Sequence, residues 1–163
     1  LVGKEDGALM QLFAGLNPER IMAASIATGM SRYALGKAKK YVNERQVWGQ
    51  PIGAHQAIAH PLATAHIEME LARLMMQKAA TLYDLGDDMG AGEAANMAKY
   101  ASAEASVKAV DAAIQSHGGN GFASEYGLAI LLASSRLSRV APVSREMVLN
   151  FVAQHSLGLP KSY

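Results

Sequence analysis

The sequence predicts an all-α fold, an antiparallel up-and-down four-helix bundle, on three observations. Alanine and methionine are abundant, aromatic residues make up only 6% of the chain, and β-branched runs are scarce, a balance that favours helices over strands. Apolar residues recur at helical spacing along three long stretches. Brief connections marked by glycine and proline join those stretches, so successive helices are neighbours of opposite direction. At 163 residues, 50% of them hydrophobic, the chain is sized for one domain with a real core.

Residues 1–16 contain Gly3, Gly7 and Gly15 around a short apolar run, and read as a linker followed by two or so helical turns. Asn17-Pro18-Glu19-Arg20 then has the chemistry of a helix start. Asn caps free amides, Pro suits the first turn, and a carboxylate there faces the positive end of the helix dipole. Ile21, Ala24, Ser25, Thr28, Tyr33, Ala34, Ala38 and Tyr41 carry the helical repeat to about Val47, where Trp48-Gly49-Gln50-Pro51 breaks it. A second helix is predicted over 54–85, with Pro61 marking either a kink or a helix start just before it, and Gly86-Asp87-Asp88 closing it. The third runs over 92–117 and stops at Gly118-Gly119-Asn120-Gly121, which supplies positive backbone angles. A shorter helix over 124–139, a break at Ala141-Pro142, a last helix over 143–157 and a tail from Leu157 complete the chain.

Several function classes drop out at this level. A net charge of +1 provides no basic field for nucleic acid. Without cysteine there are no disulfides or thiolate metal sites, which fits a reducing, cytoplasmic setting. No stretch approaches the roughly 20 apolar residues of a membrane span, and no signal peptide is present. An initial Leu rather than Met suits a fragment or a processed product. No Glu-x-x-His pair exists, and His55, His60 and His66 are poorly spaced as ligands, so no metal site is expected. The double-glycine run follows a helix rather than a strand, unlike a dinucleotide-binding fingerprint. Taken singly, that run is a helix stop, Arg45 compensates a helix dipole, the methionines of 69–76 fill a core, and Glu19 is a first-turn carboxylate.

Taken together, the motifs match one family in order and spacing. They are Asn17-Pro18-Glu19-Arg20-Ile21, the run from Tyr41 through Arg45-Gln46-Val47-Trp48-Gly49-Gln50-Pro51-Ile52, His55-Gln56-Ala57-Ile58, Gln115-Ser116-His117-Gly118-Gly119-Asn120-Gly121-Phe122, and Glu125-Tyr126. The chain resembles the C-terminal helical-bundle domain of acyl-CoA dehydrogenases over nearly its whole length, residues 1–163 forming that one domain. The resemblance implies an N-terminal helical domain and a middle β-domain outside this chain, and a homo-oligomer, dimer or tetramer. It implies FAD held between domains and across a subunit interface, with an electron-transfer flavoprotein or similar acceptor. Arg45, Gln46, Val47 and Trp48 are then expected at a neighbouring subunit's FAD, Arg45 facing the pyrophosphate, where its planar fork can bond oxygens in pairs. His55, Gln56, Gln115, Gly118 and Gly119 match flavin-contacting stretches, as do Ser144, Arg145 and Glu146; Asn17, Glu19 and Arg20 match the lining of the acyl-CoA site.

The reaction so implied is α,β-dehydrogenation of an acyl-CoA thioester, in which a carboxylate removes the α-proton. Most members carry that base as the Glu of a Tyr-Glu-Gly-Thr segment before the last helix. Here an ungapped match puts Pro142 in its place, and a one-residue slip puts Ala141; neither takes a proton. Isovaleryl- and long-chain acyl-CoA dehydrogenases instead place the Glu at the start of the first long bundle helix, where this chain has Glu19. Pro142 also lacks the amide hydrogen that the family uses near the thioester oxygen. The alternative is a non-catalytic bundle of the same family, supplying a partial FAD site or an oligomerisation surface.

Overall fold

The structure, a computed structural model, describes residues 3–162. Leu1 and Val2 of the expected linker and Tyr163 of the expected tail lie outside the described residues. Three long helices, α1 (Ala8–Glu44), α2 (Gln56–Asp84) and α3 (Asp88–His117), run up, down and up. Two seven-residue helices, α4 (Leu131–Leu137) and α5 (Arg145–Phe151), fill the fourth corner against α3, and α5 continues into a π turn over Val152–Ser156.

The first helix differs from expectation. Asn17 is not a cap and Pro18 does not open a helix: α1 is continuous over 37 residues with Pro18 inside it. The missing proline amide would have reached the carbonyl of Ala14, an exposed residue whose carbonyl water can serve, so the helix crosses the proline. Asn17 turns instead to Arg20, accepting from its Nη1 at 3.1 Å. Pro61 likewise lies within α2, past its first turn. The start of α3 is set by Asp87, whose Oδ1 accepts from the Gly90 amide at 2.9 Å.

The core is built from alanine. α3 is buried nearly all round, through Ala91, Ala94, Ala95, Ala98, Ala103, Ala105, Ala109 and Ala113 among others. It meets Ala24, Ala27, Ala34 and Ala38 of α1 and Ala65, Ala72 and Ala79 of α2; such small side chains let helix axes approach closely. At one end Ala24 packs with Ala79, Ala94, Ala95 and Ala98, the cluster closed by Ile21, Met75, Met76 and Leu82. At the other, Ala34 and Ala38 pack with Val110, Ala113, Ile114 and Leu128. α1 and α3 therefore point the same way, and their C-termini share one end of the bundle.

Candidate functional site

At that shared end α1 stops at Glu44, and the chain turns into a two-stranded hairpin, β1 (Gln46–Val47) and β2 (Gln50–Pro51), pairing Gln46 with Pro51 and Val47 with Gln50. The central residues Trp48 (φ 53°) and Gly49 (φ 79°) both have positive φ, as the tightest hairpin turn demands. Glycine adopts that angle freely; tryptophan does so at a cost. The strained Trp48 is also 88% exposed, with its ring edge-on to His55 at 5.6 Å. The Nε2 atom of His55 is buried and has no hydrogen-bond partner.

Facing the hairpin is the end of α3. Gln115 is exposed; His117 is buried, with Nδ1 2.7 Å from the Ala113 carbonyl and its ring stacked on Tyr41 at 4.1 Å. Asn120 donates to the hydroxyls of Tyr41 (3.1 Å) and Tyr126 (3.3 Å), tying the glycine run to α1. The glycines divide by role. A Cβ at Gly121 would lie 2.6 Å from the Ile114 carbonyl oxygen, whereas one at Gly118 or Gly119 would meet nothing within 4 Å. Gly121 serves packing; Gly118 and Gly119 leave open backbone. Together these parts line a cleft of about 380 Å³ bounded by Tyr41, Arg45, Val47, Ile52 and residues 115–120. Five of the predicted cofactor residues (Arg45, Val47, Gln115, Gly118 and Gly119) meet here, with Trp48 and His55 near the hairpin and Gln46 and Gln56 exposed beside them. Arg45 is exposed and forms no ion pair among the described residues. An uncommitted guanidinium, an orphaned imidazole nitrogen and open glycine backbone fit a phosphate-bearing, hydrogen-bonding group such as FAD.

Ser144, Arg145 and Glu146 are elsewhere, at the start of α5. Ser144 caps that helix through the Met147 amide (3.3 Å). Arg145 pairs with Glu104 of α3 (3.4 Å) and with Glu146 (3.2 Å), and its pKa is raised chiefly by Glu104. Glu104 also takes Arg139 at 2.6 Å, so the segment around Pro142 is held on α3 from both sides. Between those contacts the buried Lys99 donates to the Val143 carbonyl.

Lys99 also connects this segment to the predicted substrate residues. Arg20 is 6% exposed, and its charge depresses the pKa of Lys99, second to burial itself. Burial in turn lowers the pKa of Arg20, with Glu19 opposing. Asn17 packs beside Gly92, where an added Cβ would meet its side-chain nitrogen at 3.2 Å. Asn17 is thus bonded to Arg20 and Lys99 to Val143, the charge of Arg20 is felt at Lys99, and Glu19 adjoins Arg20 in sequence with its own side chain exposed. Some 25 residues of α1 separate Arg20 from Arg45, about 37 Å at 1.5 Å per residue. The chain therefore carries two half-sites. Lys99 and Glu104 on α3, and Arg139 after α4, went unread in the sequence.

Residues 6–157 match the family model described as acyl-CoA dehydrogenase, C-terminal domain. Acyl-CoA dehydrogenase FadE12 of Mycobacterium tuberculosis is 71% identical over 163 residues, all of this chain but 42% of that protein. An acyl-CoA dehydrogenase of Bacillus subtilis is 33% identical over 97% of this chain and 41% of its own length. Among solved structures, butyryl-CoA dehydrogenase from Megasphaera elsdenii superposes with a TM-score of 0.88 at 26% identity, over 95% of this chain and 40% of that one. The chain thus spans less than half the length of these relatives, and it belongs to the acyl-CoA dehydrogenase family as a C-terminal domain.

Proposed function

We propose that the protein carrying this domain oxidises acyl-CoA thioesters to their α,β-unsaturated forms, and that the domain contributes to both the flavin site and the base. The observation that carries this reading is the cleft at the end of α3, where open Gly118–Gly119 backbone meets Arg45, which forms no ion pair among the described residues, while His55, its Nε2 orphaned, stands outside that lining against Trp48. Bound FAD would accept the β-hydrogen as hydride; the rest of the chemistry falls to the protein. Arg45 would hold phosphate oxygens, Gln115 and the glycines would pass the cofactor closely, and Trp48 would cover it.

At the other half-site Glu19 removes the α-proton, positioned beside Arg20. Its exposure in this domain means that the dry setting a base needs is completed by bound substrate and by the N-terminal helical and middle β-domains, which lie outside residues 1–163. The separation of about 37 Å along α1 supports a homo-oligomer in which the Arg45 cleft serves a neighbour's FAD while Glu19 serves its own active site. An electron-transfer flavoprotein is the proposed acceptor, and a chain without cysteine suits a cytoplasmic setting.

One observation favours a second reading. With Pro142 in the usual base position and Glu19 exposed, a bundle of this family that only completes a partner's FAD site would look the same. The test is anaerobic mixing of the full-length FAD-loaded protein with a panel of acyl-CoAs. The dehydrogenase reading predicts bleaching of the oxidised flavin by at least one of them; retained colour with every substrate supports the non-catalytic bundle.

A further inference from the structure

We infer that Tyr41 is a positioning residue for the cofactor cleft: the residues on both sides of the open Gly118–Gly119 backbone anchor on its side chain, one helical turn from Arg45. The inference rests on the reading above that FAD occupies this cleft.

Gly118 and Gly119 have no packing of their own to hold them. A Cβ at either would meet no atom within 4 Å, so open space lies where side chains would be. Glycine also has the widest choice of backbone angles, and Gly118 takes a positive φ of 58°. A ligand that binds such a stretch loses affinity to the cost of ordering it, unless the protein has already fixed it. Here the order comes from the flanks. His117, before the glycines, is 4% exposed, with Nδ1 2.7 Å from the Ala113 carbonyl oxygen. Its ring stacks on Tyr41, the centroids 4.1 Å apart and the planes 21° from parallel. Asn120, after the glycines, donates to the Tyr41 hydroxyl at 3.1 Å, across 79 residues of sequence. One tyrosine thus receives both flanks, the first on its face and the second on its hydroxyl.

The same tyrosine is tied to Arg45. The Arg45 amide donates to the Tyr41 carbonyl at 2.8 Å and closes α1. Residues four apart share a helix face, and both line the cleft with the two glycines. The Ile52 amide then donates to the Arg45 carbonyl at 2.8 Å, which carries the register on into the hairpin. Tyr41 therefore sets the distance between the base of the Arg45 side chain and the glycine backbone. A phosphate-bearing group has to meet those two features at once. The second bond of Asn120, to Tyr126 at 3.3 Å, runs to the 3-10 turn over Ser124–Tyr126 and not to α1.

The test is fluorescence titration of FAD into the full-length apoprotein, with Tyr41→Phe, Asn120→Ala, Arg45→Ala and Gly119→Ala made singly and in pairs. Tyr41→Phe keeps the ring for His117 and loses only the hydroxyl. It should weaken FAD binding about fivefold, as should Asn120→Ala. The double variant should fall no more than about twofold below either, because both changes remove one bond. That bond is exposed, so the apoprotein melting midpoint should drop by no more than about 3 °C. In an Arg45→Ala background Tyr41→Phe should cost about twofold or less, whereas a merely structural tyrosine would cost the same in both backgrounds. Asn120 is exposed, so Asn120→Ala, with and without Arg45→Ala, carries the test if Tyr41→Phe fails to fold. Three results overturn the inference: either single variant binding FAD within about twofold of wild type, losses that multiply in the double variant, or an equal loss with and without Arg45. When Arg45→Ala and Gly119→Ala do weaken FAD binding, such a result removes the role of Tyr41 alone. When neither does, FAD lies elsewhere, and the reading of the cleft falls together with this inference.

Discussion

Two glycines in one run make opposite predictions. In Gly121→Ala the new methyl would lie 2.6 Å from the Ile114 carbonyl oxygen and 3.0 Å from both its Cα and Cγ2. Two of those three atoms are backbone at the end of α3, so they cannot swing aside, and Ile114 is itself 6% exposed in the core. Overpacking of this kind costs about 1–3 kcal/mol. A domain of this size loses roughly 2–4 °C per kcal/mol, so the melting midpoint should fall by about 2–12 °C. In Gly119→Ala the methyl meets nothing within 4 Å, and the backbone there has no positive φ. Stability should change by less than about 0.5 kcal/mol. If the open face is where a cofactor lies against the chain, that methyl occupies its place, and FAD affinity in the full-length protein should drop about tenfold or more, equivalent to some 1.4 kcal/mol. Thermal melting of the apoprotein and fluorescence titration of FAD separate the two effects. A Gly119→Ala protein that binds FAD as wild type does would refute the assignment of the cleft, and an unaltered midpoint for Gly121→Ala would refute the packing argument.

Trp48 pairs strain with exposure, so Trp48→Asn should act in opposite directions on stability and binding. Relief of a left-handed bulky residue should stabilise the apoprotein by about 1 kcal/mol, since an 88% exposed ring sacrifices almost no burial; FAD affinity should fall in the same variant, measured by titration. Lys99 makes a prediction in pH. Burial first, and Arg20 second, hold its pKa below the ordinary lysine value, so between the folded pKa and about 10.4 the unfolded chain binds more protons than the folded one. Stability attributable to Lys99 therefore rises with pH across that interval, and the rise should be missing from Lys99→Met in denaturant unfolding followed at a series of alkaline pH values.

The end of α3 could be read in advance, because the chain needs a positive φ at Gly118; its start, expected at residue 92, lies at Asp88 because Asp87 caps the helix. The start of α1 could not be read, because Asn17-Pro18 looks the same whether it opens a helix or lies within one; only the solvent exposure around Ala14 decides. The helix expected over 124–139 shrank to α4 because Gly127 takes φ 66° and the chain before it forms a 3-10 turn. Arg45, Gln115 and the paired glycines, singled out by the family resemblance, are brought together in one cleft. Lys99 and Glu104 were not legible: Lys99 lies on the alanine side of α3 that is buried, and Glu104 lies on the stripe that carries Glu93, Lys108 and Asp111, where a charge reads as simply solvated.

The account depends on Glu19 taking a proton from the carbon next to the thioester. Exchange of that α-hydrogen in deuterated water, followed by mass spectrometry with the full-length FAD-loaded protein and a slowly oxidised acyl-CoA, measures that step directly. The prediction is deuterium uptake by wild type and about 100-fold or more slower uptake by Glu19→Gln, with folding unchanged because Glu19 is exposed. Equal uptake by the two proteins would contradict the account and move the base to another residue.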